Sequence, residues 1–225
     1  MGTELGQPND FPGETAGAGN QDSPRSMISH TYKCIFIHQR KCAGSSIIHA
    51  FDLNPANPDW HFMNDGVLSP EYTSAPAGYF RFSVIRNPWD RFISGWKYCT
   101  TTRHRSLPDV LANLPREGHD YRHLTRPQHA ILYDENGRLI VDYLIRFESL
   151  QQDFDQVCDI IGKPRRVLAH RNRGARTHYS DYFDEDSRRI FLRHFGRDVE
   201  LFDYDYCWSC LNFAQPILSA GTDAV

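Results

Sequence analysis

Two short apolar runs, Tyr32 to His38 and Tyr79 to Arg86, are each followed at once by a helix-opening signal. Runs of this length, rich in β-branched and aromatic residues, are expected of strands buried on both faces. Behind the first, Gly44-Ser45-Ser46-Ile47-Ile48-His49-Ala50-Phe51 reads as a helix begun by small hydroxyl residues and closed before Asn54-Pro55 and Asn57-Pro58. Behind the second, Asn87-Pro88 is a start with a mechanism. The Asn side chain accepts from free N–H groups of the first turn, and Pro has no N–H to leave unpaired. Trp89, Phe92, Ile93 and Trp96 then fall at i, i+3, i+4 and i+7, the buried stripe of that helix. Leu139 to Phe147 is a third strand, Leu150 to Ile161 a helix stopped by Gly162 and Pro164, and Asp184 to Phe195 a last helix. Strands alternating with helices define an α/β fold with a mostly parallel central sheet flanked by helices and ligand sites at the carboxyl ends of the strands. The 225 residues suit one such domain.

Residues 1–29 carry glycines and prolines with little periodicity and read as a flexible tail, 30–210 as the folded domain and 211–225 as a second tail. No apolar run approaches the roughly 18 residues of a membrane span, and the start lacks the basic and apolar regions of a signal peptide. A myristoylation signal is excluded by Gly6, where Ser or Thr is required. A net charge of −3 argues against a nucleic-acid binder, which needs a broad basic face. Local charge says something different. Lys163, Arg165, Arg166, Arg171, Arg173 and Arg176 form an island without acids, suited to a small, highly charged anion. The six scattered cysteines read as reduced thiols, which with the missing anchor gives the expectation of a soluble cytoplasmic protein. Cys207-x-x-Cys210 has metal spacing but no second pair, and reads as structural.

At the carboxyl end of the first strand stands His38-Gln39-Arg40-Lys41-Cys42-Ala43-Gly44-Ser45-Ser46. A Lys, two hydroxyls and the amides of a helix start converge there, as in a phosphate cradle. It is P-loop-like without being a Walker A loop, because Lys41 precedes the single Gly44 by three residues. Arg86 ends the second strand and Ser94 lies two helical turns on, so a guanidinium and a hydroxyl are available for a second phosphate.

These residues resemble a known family, the soluble and Golgi carbohydrate-type sulfotransferases that use 3′-phosphoadenosine 5′-phosphosulfate (PAPS). The resemblance rests on Phe36-Ile37-His38-Gln39-Arg40-Lys41-Cys42-Ala43-Gly44-Ser45-Ser46 and on Phe82 to Trp96 around Arg86-Asn87-Pro88-Trp89-Asp90-Arg91. It continues through Arg126-Pro127-Gln128, Arg146-Phe147-Glu148-Ser149-Leu150 and His170-Arg171-Asn172-Arg173, covering about Tyr32 to Tyr206. It implies a sulfotransferase catalytic domain in which Arg40, Lys41, Cys42, Ala43, Gly44, Ser45 and Ser46 hold the 5′-phosphosulfate, Arg86 and Ser94 the 3′-phosphate, and Arg173 helps to close over the nucleotide. Arg40 stands where the family has Pro, adding a charge and loosening the loop; Cys42 stands where it has Thr, removing one hydroxyl donor.

The implied reaction is in-line transfer of a sulfuryl group to a hydroxyl or amine of a carbohydrate or small natural product, with Lys41 stabilising charge and no metal. Its general base is assigned to His61, in Asp59-Trp60-His61-Phe62-Met63, because an ordinary imidazole titrates near neutral pH. His49 is a second candidate, and Asp90 and Glu148 are acidic alternatives, both read as structural. His38, closing a buried strand, is also read as structural. Gln128 and His129 could touch nucleotide or acceptor by resemblance alone; Arg103 and Arg105 read as a solvated loop more than as an anion site. The acceptor loops are taken to be Asn54 to Gly78 and Thr100 to Thr125. The competing readings are a metal-dependent nucleotide or small-molecule kinase and a non-catalytic nucleotide-binding module.

Overall fold

The structure, a computed structural model, describes residues 26–51, 60–63, 78–169, 177–206 and 217–218. Its centre is a six-stranded mixed sheet. The expected strands are β2 (Cys34–Ile37), β4 (Phe80–Ile85) and β5 (Tyr143–Arg146), which lie side by side in parallel, Phe36 opposite Phe82 and Val84 opposite Ile145. Three strands that the sequence pattern does not announce extend this core antiparallel. Two of them, β1 (Ser26–Ser29) and β3 (Trp60–Met63), continue the sheet beyond β2. The third, β6 (Ile217–Leu218), pairs with β5. Parallel pairing is therefore confined to the three central strands. β1 and β6 lie inside the stretches read as tails, because backbone hydrogen bonding to an edge needs no sequence periodicity of its own.

Alternation along the central strands feeds two cores. Cys34, Phe36, Phe82, Val84, Tyr143 and Ile145 face α1 (Gly44–Ala50) and α4 (Leu150–Ile161), packing on Ile47, Phe154 and Val157. Ile35, Ile37, Ile85 and Leu144 face the other way, onto Ile131, Leu132 and Phe202. Each fully buried aliphatic or aromatic side chain contributes about 1.5–3 kcal/mol.

The third core is helical. In α2 (Pro88–Tyr98) the predicted stripe is buried at Trp89, Phe92 and Ile93, with Trp96 half-buried and its Nε1 donating to the Thr102 carbonyl at 2.9 Å. Asn87 caps as expected, its Oδ1 accepting from Trp89 N at 3.0 Å and Asp90 N at 3.4 Å. The stripe packs on α3 (Leu107–Ala112) and on α5 (Glu185–Leu201), where Trp89 stacks on Phe191 at 3.9 Å. α5 runs past Phe195 because Phe195, Asp198 and Phe202 continue its buried side. Among the described residues no helix is long and apolar enough to cross a membrane.

Parallel pairing sets the carboxyl ends of β2, β4 and β5 on one edge of the sheet. The His38–Ala43 turn, Arg86 and Phe147 therefore leave the sheet together.

Candidate functional site

The turn after β2 is strained and braced. Lys41 and Ala43 have φ of 67° and 57°, the left-handed region, which costs a non-glycine residue of the order of 1–2 kcal/mol. Two buried arginines of the next strand-helix junction hold it there. Arg91 Nε donates to the Arg40 carbonyl at 3.1 Å and Arg86 Nη1 to the Lys41 carbonyl at 2.9 Å. No peptide bond here is cis, and a trans peptide points its C=O and N–H in opposite directions. With both carbonyls turned inward to guanidinium groups, the N–H groups of Lys41 and Cys42 are turned outward. The loosening expected from Arg40 in place of Pro is opposed by its carbonyl's bond to Arg91.

Gly44 is required by a close approach. A Cβ there would lie 1.9 Å from Nε2 of His38, whose ring also stacks on Phe36. Burial, then the charge of Arg40, pushes the His38 imidazole down to about 3, so it stays neutral as a packing element. Between the ordinary value of 6.5 and about 3, the unfolded chain binds a proton at His38 that the fold excludes. Stability from this group is present above pH 6.5 and lost as pH falls through that window, by at most about 1.4 kcal/mol per pH unit. Burial holds the Glu148 and Asp153 carboxyls above their ordinary range, which acts in the opposite sense. Comparison with His38→Gln cancels them: between pH 7 and pH 5 the denaturation midpoint should fall further in the wild type than in the variant.

Cys42 is buried and serves the loop from inside. Its Sγ lies 3.5 Å from Gln128 Oε1, and burial pushes the thiol up to about 11. Lys41 extends the other way, its Nζ 3.7 Å over the ring of Tyr98. Ser45 is exposed, and Ser46 donates to the Ala169 carbonyl at 3.0 Å, tying α1 to the start of the basic loop.

Arg86 is only 2 % exposed. Its Nε donates to Asp90 Oδ2 at 2.7 Å, Nη2 meets the same oxygen, and the guanidinium lies 4.1 Å over Phe147. Ser94 is half-buried. The basic island divides: Lys163 is buried with Nζ 5.1 Å over Phe51, Arg165 pairs with Asp159, and residues 170–176, Arg173 among them, lie outside the described residues. So does Cys207-x-x-Cys210. The backbone of His61 is placed in β3, opposite Ile28 and so level with Ile35 of β2, two strand spacings or roughly 10 Å away; its side chain lies outside the described residues.

Of the alternatives, Asp90 is the partner of Arg86. Glu148 accepts from Asn87 N at 2.7 Å and Tyr204 Oη at 2.9 Å, so both carboxyls brace the junction. His49 is exposed on α1. Arg105 Nη2 donates to the Asp109 carbonyl and Arg103 Nε to His104.

Two residues have roles here that the sequence reading did not give them. Gln128 is 0 % exposed and joins three segments: Oε1 accepts from Arg86 N at 2.9 Å, Nε2 donates to Arg86 O at 2.9 Å, and its carbonyl accepts from Gln39 Nε2. Buried Asp198 accepts from Gln128 N at 2.7 Å and pairs with His129 Nδ1 at 2.6 Å, anchoring both to α5. Arg91 is the second, and its Nη2 is buried with no hydrogen-bond partner among the described residues. Asp90-Arg91, one residue behind Asn87-Pro88, was visible in the sequence; that Arg91 would turn back under the loop was not.

Beyond the loop, Tyr98, His119 and His123 form a ring stack, with His119 and His123 4.1 Å apart. Asp120 accepts from Thr101 and meets His119 Nδ1 at 3.0 Å. Burial pushes the Asp120 carboxyl up, but these hydrogen bonds outweigh it and leave it below its ordinary value. Cys99, His119 and Asp120 each offer a metal-ligand atom within 4.8 Å of the others, although burial and Asp120 hold the Cys99 thiol at about 12.

Fold and site together define an α/β protein with a strained, arginine-braced basic turn at the carboxyl ends of its parallel strands. The sequence model of the sulfotransferase family matches residues 24–205, from just before β1 to the end of α5 and beyond, and the chain belongs to that family of sulfuryl-transferring enzymes. No curated protein and no solved structure matches the chain.

Proposed function

We propose that the chain transfers a sulfuryl group from PAPS to a hydroxyl or amine of a small-molecule or carbohydrate acceptor, with 3′-phosphoadenosine 5′-phosphate (PAP) as product. The observation that carries this reading is the turn itself, which presents Lys41 and the outward N–H groups of Lys41 and Cys42 with two guanidinium groups underneath. The buried, unpartnered Nη2 of Arg91 gives the same place one more donor, and an anion suits it.

In this reading the bound donor supplies the activated sulfuryl group, and the chain's residues hold charge and move a proton. Lys41, Gly44, Ser45 and the turn amides stabilise the negative charge that grows on the leaving phosphate. Arg40 and Ala43 contribute backbone, and Ser46 fixes the helix behind them. Arg86 and Ser94 serve the 3′-phosphate, with Arg86 adding its charge from beneath because its N–H groups are engaged by Asp90 and Lys41 O. Arg173 closes over the nucleotide. A sulfuryl group carries less charge than a phosphoryl group, so Lys41 and the amides take the place that magnesium has in kinases. His61 accepts the acceptor's proton as the new bond forms. The four described cysteines, Cys34, Cys42, Cys99 and Cys158, are free and buried, which supports a reducing, cytoplasmic setting.

Replacing His61 by Ala should lower turnover by about 10²–10⁴-fold, the usual contribution of a general base, while PAP affinity stays within twofold. Single-turnover transfer and PAP titration on the same preparation check it; unchanged turnover removes His61 from the mechanism.

A further inference from the structure

A cleft of about 670 Å³ opens beside the loop, lined by residues that include Tyr98, Thr100, Thr101, Glu117, His119 and Asp120. Its volume falls within the roughly 300–1,000 Å³ of small-ligand sites. Tyr98 joins it to the donor loop, since the ring that lines the cleft is the one under Lys41 Nζ at 3.7 Å, and this Tyr is 51 % exposed. The two centres also share a field. Lys41 and Asp120 act on the same Cys99 thiol with opposite signs.

The cleft's charge is the informative feature. Glu117 and Asp120 give its lining two carboxylates, and among the described residues no Lys or Arg lines it. Of the basic side chains near it in sequence, Lys97 is engaged by Tyr182, Arg103 by His104 and Arg105 by the Asp109 carbonyl, while Arg116 lines a separate cleft with Leu114, Thr125 and Phe195. Carboxylates with threonine hydroxyls are acceptors and donors for the hydroxyls or ammonium groups of a saccharide, beside a half-exposed tyrosine. A polyanion would meet like charge at the same place, which costs affinity and supplies specificity against it.

We propose that this cleft is the acceptor site and that it takes an uncharged or amine-bearing saccharide-like polyol rather than a polyanionic one. The proposal rests on the donor-loop reading above, because it places the acceptor opposite Lys41. The anionic donor then lies on the lysine side and the nucleophile on the carboxylate side.

The test is calorimetry on the full chain saturated with PAP, using three probes of equal length: a chitosan tetrasaccharide, its fully N-acetylated counterpart and a chondroitin tetrasaccharide. The first two should bind at least tenfold more tightly than the third. In Glu117→Lys, an exposed charge reversal whose folding is checked by its thermal midpoint, that preference should shrink at least fivefold toward the anionic probe. If chondroitin binds most tightly, if none of the probes is separated from the others, or if Glu117→Lys leaves the size of the preference unmoved, the cleft is not the acceptor site and the donor reading stands. If PAP itself fails to bind, both readings fall together.

Discussion

Lys41→Ala is expected to reduce turnover by two to three orders of magnitude and PAP affinity by about tenfold. Removing one preorganised charge-stabilising group typically costs about 2.7–4 kcal/mol in the transition state, whereas in the ground state the turn amides and Arg91 still hold the nucleotide. Lys41→Arg should not restore the rate, because a planar fork cannot replace a point charge on a turn with φ of 67°. Lys41→Gly separates function from folding: it loses turnover like the Ala variant but relieves the left-handed strain, so its denaturation midpoint should be no lower than that of the wild type. A drop in stability parallel to the drop in rate would mean that Lys41 acts through its packing on Tyr98 and not on the donor.

Gln128→Ala should give the largest loss of stability of any single change at the junction, about 2–4 kcal/mol. It strands the N–H and C=O of Arg86, both buried, and each unmade bond of that kind costs roughly 1–3 kcal/mol. The effect should reach the donor loop, since the same side chain lies against Cys42 Sγ and the freed Arg86 braces the Lys41 carbonyl. Urea denaturation and PAP titration of this variant should therefore fall together, unlike His61→Ala, in which only turnover falls. An unaltered midpoint would show that Arg86 is held by Asp90, Phe147 and the Lys41 carbonyl without Gln128.

The parts of the fold that could be read directly were those whose signal is local. Asn87-Pro88 marked a helix start because the cap chemistry lies within three residues, and Gly162 marked the end of α4 because it takes a left-handed φ of 70° there. The central strands were legible from unbroken apolar runs. β1, β3 and β6 were not, because their stability lies in hydrogen bonds to partners distant in sequence. α3 was missed although Ser106 caps it, accepting from Asp109 N, and Pro108 sits in its first turn, a signal that the basic neighbours Arg103 and Arg105 masked. At the site, residue types and spacing pointed to Lys41, Gly44 and Arg86. They could not show that Arg86 is buried under the turn, that Arg91 shares that task, or that Gln128 ties both to α5 through Asp198. Those are long-range contacts made by polar side chains with no periodicity to betray them. The cleft beside Tyr98 is of the same kind, assembled from two segments with Tyr98 stacked on His119 and His123.

The most direct test of the account is calorimetric titration of the purified chain with PAP without divalent metal, beside ATP with magnesium, repeated on Lys41→Ala and Arg86→Ala. The account predicts metal-independent PAP binding that weakens in both variants and a much lower affinity for magnesium-ATP. Preference for magnesium-ATP, or PAP binding indifferent to both substitutions, would contradict it.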